Sequence, residues 1–286
     1  MEMSQLNTKK GILIIATRSP IYGNMAYNLC MTIKASGSKL PVCLVHDLAA
    51  IRHLKEDDLK LFDILQPTER NWNDIRFSID EISPFDHTMQ LDADMLWLKK
   101  QPEELFKKYS AQSFICTNEG YHDIESGIED LTGNYQWLGD LKTTIKTYDL
   151  TGKIYQMRWE LLMFKKTKAF NRILLGAKDI RNNPKMKTWQ FEGQPVDEFA
   201  FYVSACKEGA EMVAAPFLPA YWGRRDYPLW ELTATYYAVS FGGNTASPHF
   251  TKQYDLIMNG AAYKTGLKHR FQLQSKRDFI PERKII

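Results

Sequence analysis

Three short apolar runs, each ending in a polar loop, constrain this chain more than any other feature. Gly11–Arg18 reads GILIIATR, Pro41–His46 reads PVCLVH, and His87–Leu98 reads HTMQLDADMLWL. Apolar runs of this length that do not alternate are strands covered on both faces. Between the first two, Met25, Leu29 and Ile33 recur every four residues before Gly37. That spacing predicts a helix over Gly23–Ser36 with a glycine stop. Lys55–Phe62 predicts a short helix, Asp63–Gln66 a brief strand, and Ile75–Ile82 a helix that stops before Pro84. Buried strands alternating with helices predict an α/β fold with a mostly parallel central sheet flanked by helices.

The second half is less regular. Ser113–Cys116, Glu160–Lys165 and Glu211–Phe217 read as strands, and Thr167–Ala177 and Val196–Glu208 as helices. Asn118–Tyr155 has weak periodicity, and stretches that long in a compact domain are usually functional. A chain of 286 residues with 44% hydrophobic residues can fill one large core without a metal or disulfide staple. Cys30, Cys43, Cys116 and Cys206 form no CxxC pair and the six histidines no HExxH, so a structural zinc site is not expected. Met1–Lys10 is polar, and no apolar run nears the roughly 20 residues of a membrane span. The expectation is a cytoplasmic protein.

The acids and bases nearly cancel, at a net charge of +3, which alone announces no nucleic-acid binder. The charge is unevenly placed. Lys264–Lys284 holds seven Lys or Arg residues and His269 against Asp278 and Glu282. Such a segment is either a solvated tail or a clamp on phosphates.

Asp92 and Asp94 interrupt the third apolar run. In a continuous strand two such carboxylates face the same way and repel unless a cation sits between them. A hard divalent ion, Mn²⁺ or Mg²⁺, is the natural guest at the carboxyl end of a strand, where open α/β sheets bind ligands. Neither GxGxxG nor GxxxxGK[ST] occurs, which disfavours a dinucleotide fold and a P-loop. The first strand ends instead in Ala16-Thr17-Arg18-Ser19-Pro20-Ile21-Tyr22-Gly23. The hydroxyl of Thr17, the cation of Arg18 and the ring of Tyr22 suit a nucleoside held by stacking and hydrogen bonds.

With Gln90-Leu91-Asp92-Ala93-Asp94-Met95 in place, the sequence resembles the nucleotide-sugar glycosyltransferases of the GT-A fold. It is most similar to glycosyltransferase family 8, the glycogenin and lipopolysaccharide galactosyltransferase group. The resemblance covers residues 11–255. It implies a single catalytic domain with a Rossmann-like nucleotide-sugar half at 1–98, an acceptor half at 99–263 and the basic segment at 264–286. It implies Asp92, Asp94 and the His249 of Pro248-His249-Phe250 as metal ligands, with Asp92 also facing the donor. Arg76 matches an arginine that contacts the nucleotide sugar, and Lys252 stands for a lysine on the pyrophosphate, three residues after His249 rather than six. Pro195-Val196-Asp197-Glu198-Phe199 resembles a helix start lining the sugar site, which makes Asp197 and Glu198 the catalytic candidates. The family's N-S-G segment is absent where Gln156-Met157-Arg158-Trp159-Glu160 stands.

The activity implied is metal-dependent transfer of a sugar from a UDP-sugar to a hydroxyl, with retention. If the course is inverting, Asp197 or Glu198 is the general base. The acceptor is a glycan or a hydroxylated base in DNA, the latter suggested by the basic segment and by Tyr221-Trp222-Gly223-Arg224-Arg225-Asp226-Tyr227. Two alternatives differ in what they require. A sugar-phosphate nucleotidyltransferase has a glycine-rich start that this chain lacks, and a non-catalytic sugar-binding module needs neither carboxylate.

Overall fold

The computed structural model describes residues 9–70, 72–98, 101–127, 129–131, 140–186, 189–191, 194–195, 197–210, 233, 236–240, 248–267 and 284–285. Apolar residues without alternation make β1 (Lys10–Ala16) a strand with no solvent face, and Ile12, Leu13, Ile14 and Ala16 are fully buried. Helix α1 (Pro20–Ala35) starts three residues earlier than its periodicity predicts. Ser19 caps it by accepting from the Ile21 amide, and Pro20 brings a φ already suited to a first turn. The helix ends at Ser36, and Gly37 follows at φ +84°. β2 (Val42–His46) is buried throughout. Two single-turn helices, α2 (Leu48–Ile51) and α3 (Glu56–Leu59), lead to β3 (Ile64–Pro67), whose exposure alternates as in an edge strand. α4 (Trp72–Arg76) and α5 (Ile79–Ile82) stand where one helix is predicted. β4 (His87–Asp92) follows.

β4 ends at Asp92. Ala93 and Asp94 turn the chain, and β5 (Met95–Trp97) leaves for another sheet. The single strand predicted over His87–Leu98 is therefore two, because aspartate suits a turn better than the interior of a strand. α6 (Glu103–Lys108) closes this part. Next come β6 (Phe114–Asp123), β7 (Glu129–Leu131), α7 (Leu141–Tyr148), β8 (Lys153–Lys165), α8 (Lys168–Asn182), β9 (Trp189–Phe191), β10 (Gln194–Pro195) and α9 (Asp197–Lys207). The chain closes with β11 (Ala238–Ser240), α10 (Pro248–Thr265) and β12 (Lys284–Ile285). The strand predicted over Glu211–Phe217 lies outside the described residues. Among those residues no helix is long and apolar enough to cross a membrane.

The chain divides into two units. The first holds residues 1–72, 81–112 and 216–278, and the second residues 73–80, 113–215 and 279–286. In the first, β3, β2, β1 and β4 lie side by side in that order, all parallel. This is the mostly parallel sheet of the predicted α/β class. β5 pairs antiparallel with β11. Helix α1 packs on α10, where Tyr27, Met31, Leu96, Val239, Tyr254 and Met258 share one core. Asn28 Nδ2 donates to Tyr254 Oη at 2.5 Å inside that contact.

In the second unit the strands pair antiparallel. β6 runs beside β8, with register shifts between Cys116 and Thr117 and between Asn118 and Tyr121. Both strands are longer than predicted. Their polar ends carry no apolar signal, and the pairing that extends them is non-local. Thr167 caps α8 by accepting from the Phe170 amide. Phe164 stacks on Phe170 at 4.5 Å, and Trp159 meets Phe201 at 4.2 Å. Aromatic rings thus fill the space between β8 and the two long helices.

Candidate active site

The register of the parallel sheet brings three strand ends level. Ile15 lies opposite Asp92 and Ala16 opposite His46, so the residues that follow β1, β2 and β4 emerge at one carboxyl edge. Open α/β sheets bind ligands there. Thr17 is buried and Tyr22 half-buried, whereas Arg18 is exposed. Arg18 holds a φ of +74°, rare for a residue with a side chain. Its amide donates to Asp47 Oδ2 at 2.6 Å, and Asp47 Oδ1 accepts from the Ala50 amide at 2.7 Å. One carboxylate thereby caps α2 and pins the loop after β1. Nothing in the reading of the apolar runs pointed to Asp47. The signal available was an aspartate placed between a buried strand and a helix, the ordinary cap pattern.

Asp92 ends β4 half-buried, and Asp94 sits in the following turn at 9% exposure. Gln90 Nε2 donates to Asp92 Oδ1 at 3.2 Å. Two carboxylates, one already oriented by an amide, are the hard oxygen donors that Mg²⁺ and Mn²⁺ take, so the residues present fit such an ion. Among the described residues no three His, Cys, Asp or Glu side chains gather into a metal cluster. The third expected ligand, His249, is the second residue of α10, and its side chain lies outside the described residues. Lys252, three residues further along α10, is exposed.

The second unit brings together Arg76 and Asp197, which are far apart in sequence. Arg76 Nη1 pairs with Asp197 Oδ2, with both side chains buried. The Arg76 guanidinium also lies over the Trp159 ring, 5.6 Å from its centroid. Phe77 packs on Phe201 at 5.0 Å, and Arg181 covers Phe77 while pairing with Asp74 at 2.8 Å. Burial opposes the charge on Asp197, but Arg76 and a hydrogen bond from Glu198 outweigh it, so its carboxyl titrates below the ordinary 3.8. Glu198 goes the other way. Burial, then the charge of Asp197 and the hydrogen bond to it, push Glu198 well above the ordinary 4.5. Neighbouring acids at the start of α9 are thus pushed in opposite directions, Asp197 toward the ionised form and Glu198 toward the protonated one.

The aromatic and basic cluster at 221–227, the glycine-rich approach at 241–244 and most of the basic segment lie outside the described residues; Lys264 is described and exposed.

No protein-family model matches this sequence, and no curated protein matches it. Solved structures do. The apo structure of the bifunctional glycosyltransferase WbbM aligns at a TM-score of 0.54 and 10% identity, over 93% of this chain and 52% of its own. The galactosyltransferase LgtC, in complex with donor and acceptor sugar analogues, aligns at 0.53 and 12%, over 88% of this chain and 95% of its own. The glycosyltransferase GlyE of Streptococcus pneumoniae TIGR4 aligns at 0.52 and 11%, over 92% and 65%. The chain therefore spans about half of WbbM and just under two thirds of GlyE. These likenesses establish a fold of the GT-A glycosyltransferase type.

Proposed function

We propose that this chain is a glycosyltransferase that moves a sugar from a UDP-sugar to a hydroxyl of a glycan acceptor, with retention, using Mn²⁺ or Mg²⁺. The observation that carries this reading is the placement of Asp92 and Asp94 at the carboxyl end of β4, level with Thr17 and Arg18 after β1. It is supported by a fold shared with LgtC over most of both chains.

Asp92, Asp94 and His249 would hold the ion, whose charge would stabilise the diphosphate as negative charge develops on it. The chain's own groups do the rest. Thr17 and Tyr22 bind the nucleoside by hydrogen bonding and stacking, while Arg18 and Lys252 offer cations to the phosphates. Arg76, Asp197 and Glu198 form the sugar side of the proposal. Arg76 favours the ionised form of Asp197, so in this reading Asp197 is the group that accepts sugar hydroxyls. Glu198 keeps its proton on the carboxyl and donates a hydrogen bond rather than acting as a base. That division of roles agrees with retention, which needs no carboxylate to deprotonate the acceptor.

Thermal melting with a panel of UDP-sugars tests the proposal. One UDP-sugar should raise the melting temperature in the presence of Mn²⁺ and be turned over slowly to UDP. Asp94→Ala should abolish both effects while leaving the free protein folded. Equal stabilisation with and without Mn²⁺, or in Asp94→Ala, would sink the metal assignment.

A further inference from the structure

Gln90 is a polar residue in one of the least accessible places in the first unit. It is fully buried in β4, opposite Leu13 of β1 and next in sequence to the buried Met89 and Leu91. Its Oε1 is buried and has no hydrogen-bond partner among the described residues. A buried carbonyl left unpaired destabilises a fold, and a methionine of the same length would avoid the penalty.

What the amide provides is directed at one atom. Residues two apart in a strand share a face, so Gln90 sits directly behind Asp92, and Nε2 donates to Asp92 Oδ1 at 3.2 Å. That bond fixes the rotation of the carboxylate at the strand end. Carboxylates that ligate a cation commonly need such a partner, because a freely turning carboxylate must be ordered each time the ion binds.

We infer that Gln90 is a positioning residue: its amide N–H orients the Asp92 carboxylate for a divalent cation, at the expense of an unpaired carbonyl in the core. The inference rests on the reading of Asp92 as a metal ligand and adds the group that acts through it. It implies that stability and cation affinity change in opposite directions when the amide is removed.

The test uses the full chain, with Mn²⁺ and UDP as probes. Titration calorimetry gives the Mn²⁺-dependent affinity for UDP, the Mn²⁺ paramagnetic resonance signal gives free ion directly, and melting without metal gives stability. In Gln90→Met, Mn²⁺ affinity should fall about tenfold or more, the range for lost supporting partners of metal ligands. The metal-free melting temperature should stay level or rise. Gln90→Leu, which also lacks the donor, should do the same and serves if Gln90→Met does not fold. In the double variant with Asp92→Ala, which leaves the Gln90 amide no carboxylate to orient, the Gln90 change should weaken Mn²⁺ binding no further. Wild-type affinity in both Gln90 variants overturns the inference, as does a drop in melting temperature with affinity unchanged. Fully additive effects in the double variant also overturn it. Absence of any Mn²⁺-dependent UDP binding by the wild type is a different failure: it removes the metal reading itself, and this inference with it.

Discussion

The two units use carboxylates in opposite ways. In the first, register runs unbroken from Ile12–Val42 to Ala16–His46, and the acids stand where that sheet ends: Asp92 half-buried and Asp94 in a turn. In the second, β6 and β8 slip register twice, and the acid that matters is sealed in, with Asp197 buried against Arg76. A regular sheet thus delivers acids to its edge, where a cation from solution can neutralise them. The other unit supplies the counter-charge from its own chain. Asp197 should therefore contribute to the stability of the fold as well as to the proposed contact with the sugar, and Asp92 almost wholly to function.

The largest expected effect tests that contrast directly. Asp197→Ala removes the carboxylate from a buried ion pair, and breaking a buried pair in this way costs about 3–5 kcal/mol. Replacing both partners, as Arg76→Met with Asp197→Leu, should recover most of the loss, since apolar pairs of similar volume are often as stable as the ions. Asp92→Asn keeps an acceptor for Gln90 and should change stability by no more than about 1 kcal/mol. Urea unfolding of the three variants measures all of this. Comparable losses from Asp197→Ala and Asp92→Asn would erase the contrast.

Legibility in the sequence divides along the same line. The parallel strands were readable because their apolar runs need no partner to be recognised, and the cap and glycine stop around α1 are local signals. The break after Asp92 was missed because Met95–Trp97 is as apolar as the strand before it; its partner, Ala238–Ser240, is remote in sequence. β6 and β8 were cut short for a similar reason, since Thr117–Asp123 and Lys153–Arg158 are held by each other. Among the site residues, Asp92 and Asp94 stood out as charges inside an apolar run. Arg76 and Asp197 were each singled out, but neither periodicity nor spacing reveals that they pair across 121 residues of separation. Gln90 was visible only as the first letter of a motif, because an orphaned carbonyl is a property of packing.

A smaller effect separates how the units seat their helices. A Cβ added at Gly23 of α1 would lie 2.1 Å from the Ala50 carbonyl oxygen, and one added at Gly176 of α8 would lie 2.3 Å from Ser204 Oγ. The first obstacle is backbone, pinned through α2 by Asp47; the second is a side chain. Gly23→Ala should cost about 1–3 kcal/mol as overpacking. Gly176→Ala should be comparably unfavourable alone but nearly neutral in a Ser204→Ala background, although that background itself loses the bond from Ser204 Oγ to the Ile173 carbonyl at 2.7 Å. Melting temperatures of the four proteins decide it. If Ser204→Ala gives Gly176→Ala no relief, the α8–α9 seat is as rigid as the one against α2.

The smallest effect is a slope rather than an offset, and it probes the proton on Glu198. Its folded pKa is raised, by burial first and then by Asp197, so the folded chain holds a proton that the unfolded chain has lost above pH 4.5. The folded state then binds more protons, and stability must fall as pH rises. This contribution is complete below 4.5 and is lost as pH climbs through the raised folded value. Asp197 acts in the opposite sense: its lowered pKa gives a contribution present above 3.8 that disappears as pH falls through its folded value, at the acid end of the range. Glu198→Gln keeps a hydrogen-bond donor toward Asp197 with no proton to lose, so it should remove only the first of these slopes. The melting temperature of Glu198→Gln minus that of the wild type should be flat below pH 4.5, grow as pH rises from there through the raised folded value, and then level off. Because the amide preserves the donor assigned to Glu198, sugar transfer by Glu198→Gln should persist, with weaker pH dependence on the alkaline side. A melting difference that stays constant across the whole range would mean that Glu198 is ionised beside Asp197, and the assignment of donor and acceptor within that pair would have to be reversed.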